Sequence, residues 1–129
     1  MDKEKQVVSL ELAKKMKDLG FKQVSLFWWG EECNINNFSP RICTDLSRWD
    51  KERMCAVCSA YTVAELGEML PDSICKFCED YYVNISTFEG LTTCSYIAQS
   101  LEDRISESAE SEADARAKML IYLKEHNLI

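Results

Sequence analysis

The sequence predicts an α+β fold: a small antiparallel sheet with the N-terminal and C-terminal helices packed on one face. Three observations lead there. Apolar residues recur at helical spacing near both ends of the chain, β-branched and aromatic runs lie between them, and no βαβ alternation is long enough to wind a parallel sheet. The 129 residues, 47% of them apolar, are enough for one domain with a core that needs neither disulfides nor metal.

Ser9 is placed to cap a helix whose apolar side is Leu10, Leu12, Ala13, Met16 and Leu19. Gly20 ends it, because glycine accepts the left-handed conformation after a helix, and Phe21 can fold back onto Met16. Lys22 to Trp29 reads as a strand with Val24, Leu26 and Trp28 on one face and Phe27 and Trp29 on the other. The polar, asparagine-rich run from Gly30 to Pro40 reads as a loop, and Arg41 to Asp45 and Arg53 to Cys58 as returning strands.

Thr62 and Glu65 have the spacing of a capping box, and Pro71 stops the short helix Val63 to Leu70. Ile74 to Cys78 and Tyr81 to Thr87 form a hairpin with Glu79 and Asp80 as its turn. From Ser95 to Ala109, Ile97, Leu101 and Ile105 recur every four positions and predict a helical segment, whose end at Ser106 to Ser111 reads as a mobile acidic, serine-rich linker within the single domain. Ser111 and Asp114 again have capping-box spacing, and Ala113, Ala117, Met119, Leu120, Ile121 and Leu123 mark the strongest helix, ending near Asn127 with Leu128 packing back.

The phrases SLELAKKMKDLGF, TVAELGEMLP and EADARAKMLIYLKEHNLI resemble a recurrent group of small uncharacterised phage and prophage proteins. The resemblance covers about half of the chain. It implies a phage origin and one compact domain, and it transfers no catalytic residue. The chain departs from the group in its cysteines and in the serine-rich acidic stretch before the last helix.

The balance of 15 basic against 22 acidic side chains gives −7 with the one histidine neutral, which argues against broad binding to nucleic-acid phosphates. No run approaches the roughly 20 apolar residues of a membrane span, and MDKEKQ leads straight into an amphipathic pattern, so the expected location is the cytoplasm, that of the host cell for a phage protein. There the seven cysteines stay reduced.

Cys55, Cys58, Cys75 and Cys78 form two CxxC pairs separated by the 16 residues 59–74, a spacing that suits a four-thiolate zinc site. Simple packing of small apolar thiols is the alternative, since residues three apart in an extended strand point to opposite faces; redox chemistry is a third, although neither pair opens a helix that would lower a thiol pKa. Apart from zinc, no cofactor is expected. His126 lies in the last turn of the terminal helix, where it complements the helix dipole, and no phosphate loop or hydrolase motif is present.

Trp28 and Trp29 are adjacent on a strand and cannot share one core, which makes them candidates for partner binding. The functional expectation is a non-enzymatic protein that binds a host or phage macromolecule, most simply a protein, and thereby inhibits a host defence. A zinc-binding structural module and a protein that sequesters a small ligand are the alternatives.

Overall fold

The computed structural model describes residues 6–32, 41–43 and 54–129. Among the described elements the first helix, α1 (Leu10–Asp18), buries Ala13 and Met16 and closes as the glycine pattern predicts. Gly20 has φ 88°, its N–H donates to the Lys17 carbonyl at 3.0 Å, and the Phe21 N–H donates to the Met16 carbonyl at 3.2 Å. These two bonds are a Schellman closure. The helix start differs from expectation: Ser9 occupies the cap position, but its hydroxyl makes no capping bond.

Strands β1 (Phe27–Glu32), β2 (Arg41–Cys43) and β3 (Met54–Ala60) form an antiparallel sheet in the order β2-β1-β3. β1 begins five residues later than Lys22, and Val24 and Leu26 lie outside it, exposed. The Asp45 end of the second expected strand lies outside the described residues. The register between β1 and β3 shifts at Trp29/Gly30, a bulge that lets Trp29 sit opposite Cys58 and Gly30 opposite Ala56. Val7 and Val8, both buried, run beside the end of β3, bridging to Thr62 and bonding to the Tyr61 carbonyl at 2.9 Å.

Helix α2 (Val63–Met69) has the full capping box: Thr62 Oγ1 accepts from the Glu65 N–H at 3.2 Å, and Glu65 Oε1 accepts from the Thr62 N–H at 3.0 Å. Four strands follow in chain order as a meander: β4 (Ser73–Lys76), β5 (Glu79–Phe88), β6 (Leu91–Ala98) and β7 (Arg104–Ala109). The architecture is therefore α+β with two antiparallel sheets in place of the single one expected.

The segment Ser95 to Ala109, expected as a helix, is instead the end of β6, a loop and β7. The spacing of four does not arise from one element. Here Ile97 lies on one face of the second sheet, Ile105 is buried on the other, and Leu101 sits in the intervening loop. The serine-rich run carries regular structure: Ser106 and Ser108 are in β7, with Ser95–Ser106 and Thr93–Ser108 hydroxyl contacts of 2.9 and 2.8 Å to β6. Ser111 caps the last helix.

That helix, α3 (Glu112–Glu125), packs on β6 and β7 and also against α1 and α2. Being covered from several sides, it buries Ala113, Ala115 and Ala117 as well as Met119, Leu120, Ile121 and Leu123. The main strand contact of α1 is β3, so the two terminal helices meet each other while serving different sheets. Asn127 has φ 55° and the Leu128 N–H donates to the Leu123 carbonyl at 2.8 Å, the closure predicted for this end.

Tyr61, Tyr81 and Tyr96 are buried with their hydroxyls donating to the Lys22 carbonyl, the Asp103 carboxylate and the Pro71 carbonyl, so none leaves a polar tip unsatisfied. Burial pushes the Tyr61 and Tyr96 phenols above their ordinary pKa. Gly67 on α2 leaves space into which the Arg116 guanidinium fits; a Cβ there would come within 2.4 Å of it.

Candidate interaction site

The β4–β5 connection is two residues long, because Lys76 pairs with Glu79. Phe77 and Cys78 therefore carry the whole reversal, with φ of 52° and 61°. Two-residue hairpins favour this doubly left-handed geometry since it matches the strand twist, but Asn-Gly is the pair that adopts it without strain. Phe and Cys do so against a steric cost. The turn thus falls two residues before the Glu79–Asp80 position expected from composition.

Phe77 is 85% exposed, and the Lys76 ammonium lies 5.3 Å from its ring centroid, within cation–π range. Cys75 and Cys78 are exposed at the same tip.

Antiparallel pairing puts the β6–β7 loop at this end of the sheet as well. Its Gln99 N–H donates to the Asp80 carbonyl at 3.0 Å, and its Ser100 N–H donates to Glu79 Oε1 at 2.9 Å. The hydroxyl and N–H of Ser100 hold the Glu79 carboxyl below its ordinary pKa. The Tyr81 hydroxyl donates to Asp103 Oδ2 at 2.7 Å. That bond, aided by the Arg104 N–H, lowers the Asp103 pKa, and the same carboxylate, with burial, raises Tyr81 to about 12.

Leu101 rides on this tethered loop at φ 64° and is 80% exposed. Between Leu101 and the sheet lies an open cleft of about 440 Å³ lined by Ile97, Leu101, Glu102, Asp103 and Arg104. The adjoining sheet face, away from α3, presents Tyr82, which is half exposed, beside Ile97 and Arg104. Two large apolar side chains, each at a left-handed backbone position and each exposed, stand among charged neighbours at one end of the second sheet. Such an arrangement suits contact with a protein surface.

The sequence candidates fall elsewhere or divide. Trp29 is buried at 6%, and its Nε1–H donates to the Val8 carbonyl at 2.9 Å. Trp28 pairs with Ser59 and is half-buried, its alternation with Trp29 as expected. Of the four cysteines, Cys75 and Cys78 are both exposed in one hairpin, Cys58 is 1% exposed in the first sheet, and the side chain of Cys55 lies outside the described residues. Among the described residues, no three His, Cys, Asp or Glu side chains converge as metal donors. Burial pushes the Cys94 thiol up to about 11.

His126 follows α3, with Nδ1 2.9 Å from the Tyr122 carbonyl and its ring stacked on Tyr122 at 4.0 Å. Phe77 and Leu101 escaped sequence reasoning, because nothing in residue type marks an aromatic or a leucine as a turn residue. No helix among the described residues is long and apolar enough to cross a membrane. Comparison with family models, curated proteins and solved structures found no match.

Proposed function

We propose that this chain is a non-enzymatic binding protein of phage origin, acting in the host cytoplasm by covering a surface of a protein that belongs to the host's defence. The observation that carries this reading is the pairing of Phe77 and Leu101, 85% and 80% exposed, on two tethered turns at one end of the second sheet. Leaving large apolar groups in water is unfavourable in the free protein, and a partner that covers them removes that exposure. The net charge of −7 favours a protein over nucleic acid as that partner.

The experiment is capture from host lysate with the wild-type chain and with Phe77→Ser/Leu101→Ser, both checked for unchanged circular dichroism and melting. A discrete protein partner retained by the wild type and lost by the double variant supports the reading. Equal capture by both, or no partner for the wild type, refutes it.

A further inference from the structure

We propose that Cys75 and Cys78 form half of a zinc site that a second copy of the chain completes, giving a dimer bridged by one ion and four thiolates. This goes beyond the binding surface above and does not depend on it.

Cysteine is among the residue types most often buried, and Cys58 and Cys94 follow that habit at 1% and 0% exposure. Cys75 and Cys78 do not. Both are exposed within one turn of chain, and Cys78 holds a left-handed position, φ 61°, that glycine or asparagine would occupy without strain. Packing explains neither residue. In a continuous strand, two cysteines three apart would point to opposite faces. Here the two are not in one continuous strand, because Cys75 lies in β4 and Cys78 in the reversal that follows it.

Zinc takes four ligands in closed thiolate sites. Beside this pair, no third donor converges among the described residues. The missing two are supplied most simply by the identical pair of another copy. β4 is an edge strand of its sheet, paired only with β5 among the described strands, so a second hairpin can approach the tip from outside.

The nearby charge is mixed. A zinc ion with four thiolates carries −2, and the two Lys76 ammonium groups, one from each copy, offset it. Of the nearby acids, Glu79 is engaged by Ser100, and Asp80 stands opposite Cys75 in the strand register. On binding, each of the four thiols loses its proton to solvent and forms one Zn–S bond. No electron is transferred.

The test uses the full reduced chain at micromolar concentration, titrated with zinc and followed by light-scattering mass, bound-metal analysis and proton release. One zinc per two chains, a doubled mass reversed by chelator, and loss of both in Cys75→Ser/Cys78→Ser support the site. Four results overturn it: one zinc per monomer, a dimer that persists without metal, binding unaltered by the double variant, or no binding at stoichiometric metal. The double variant keeps Phe77 and Leu101, so its capture of a partner from lysate reports on the proposed function separately.

Discussion

Asp114 Oδ1 accepts the Ser9 backbone N–H at 2.7 Å, tying the start of α1 to the first turn of α3 across 105 positions of sequence. The Ser111 hydroxyl caps the Asp114 N–H at 3.1 Å, as its spacing predicts. The carboxylate that would complete the capping box serves another helix instead. Asp114→Ala should lower stability by about 1.5–3 kcal/mol, as expected for a hydrogen bond to a charged acceptor. Asp114→Asn, which keeps an acceptor, should lose less. Chemical denaturation of the two variants checks this, and equal losses would show that the Ser9 contact contributes nothing through its geometry.

The two adjacent tryptophans should separate in the same measurement. Trp29→Ala removes a buried indole and leaves the Val8 carbonyl without its donor, a loss of roughly 3–5 kcal/mol. Trp28→Ala, at a half-buried position, should cost less than half as much.

Relieving the backbone at the hairpin tip should raise stability. Phe77→Asn/Cys78→Gly installs the pair suited to φ values of 52° and 61°, and a gain of about 1 kcal/mol or more is expected. A higher melting temperature together with loss of partner capture and of zinc would show that the native pair is retained at the expense of stability. An unchanged or lower melting temperature would show that the turn is not under strain.

Acid should loosen the loop that carries Leu101. The Glu79 and Asp103 pKa values are lowered in the fold, so their contribution is complete above the ordinary carboxyl range near pH 4 and is lost as pH falls through the lowered folded values. Tyr81 has the opposite sign: raised to about 12, its contribution is complete below the ordinary phenol value near 10 and is lost as pH rises through 12. Asp103→Asn should flatten the acid limb of the stability profile and return the Tyr81 phenolate transition toward 10 in ultraviolet titration.

Thiol reactivity offers a direct view of the two cysteine classes. At neutral pH, alkylation mapped by mass spectrometry should modify Cys75 and Cys78 in the native protein, while Cys58 and Cys94 react only after denaturation. Burial raises the Cys94 thiol to about 11, which suppresses its thiolate as well as its access. Native labelling of Cys94 at the rate of Cys75 would contradict the fold.

Helix ends were the most legible part of the chain, because caps are local. Gly20, Asn127 and the Thr62–Glu65 pair each act through backbone groups within a few residues. The α+β class followed from the same punctuation. β7 was not legible, since Ile97, Leu101 and Ile105 imitate one helical stripe although they belong to two strands and the loop between them, with Ile97 and Ile105 on opposite faces. What makes β6 a strand is a buried set of mostly small residues, Thr92, Cys94, Tyr96 and Ala98, which hardly registers as an apolar stripe. The candidate surface was hidden for a related reason: Phe77, Cys78 and Leu101 take left-handed conformations that their residue types disfavour, imposed by strand pairing on either side.

The meander of the second sheet bears on how the chain reaches this state. Each of its strands bonds to the next one along the chain, and the first two reversals are two residues long, so residues 73–109 can pair by closing short loops in succession at small entropic cost. The first sheet needs longer closures: β1 must find β3, and Val8 must reach Tyr61. Short closures favour early pairing of the meander, and α3, which follows β7 directly, is placed to settle on it next. In amide exchange the centre of β5 and β6 should be the last to open, and the hydrogen bonds joining β1 to β3 should open earlier, as a separate cooperative unit.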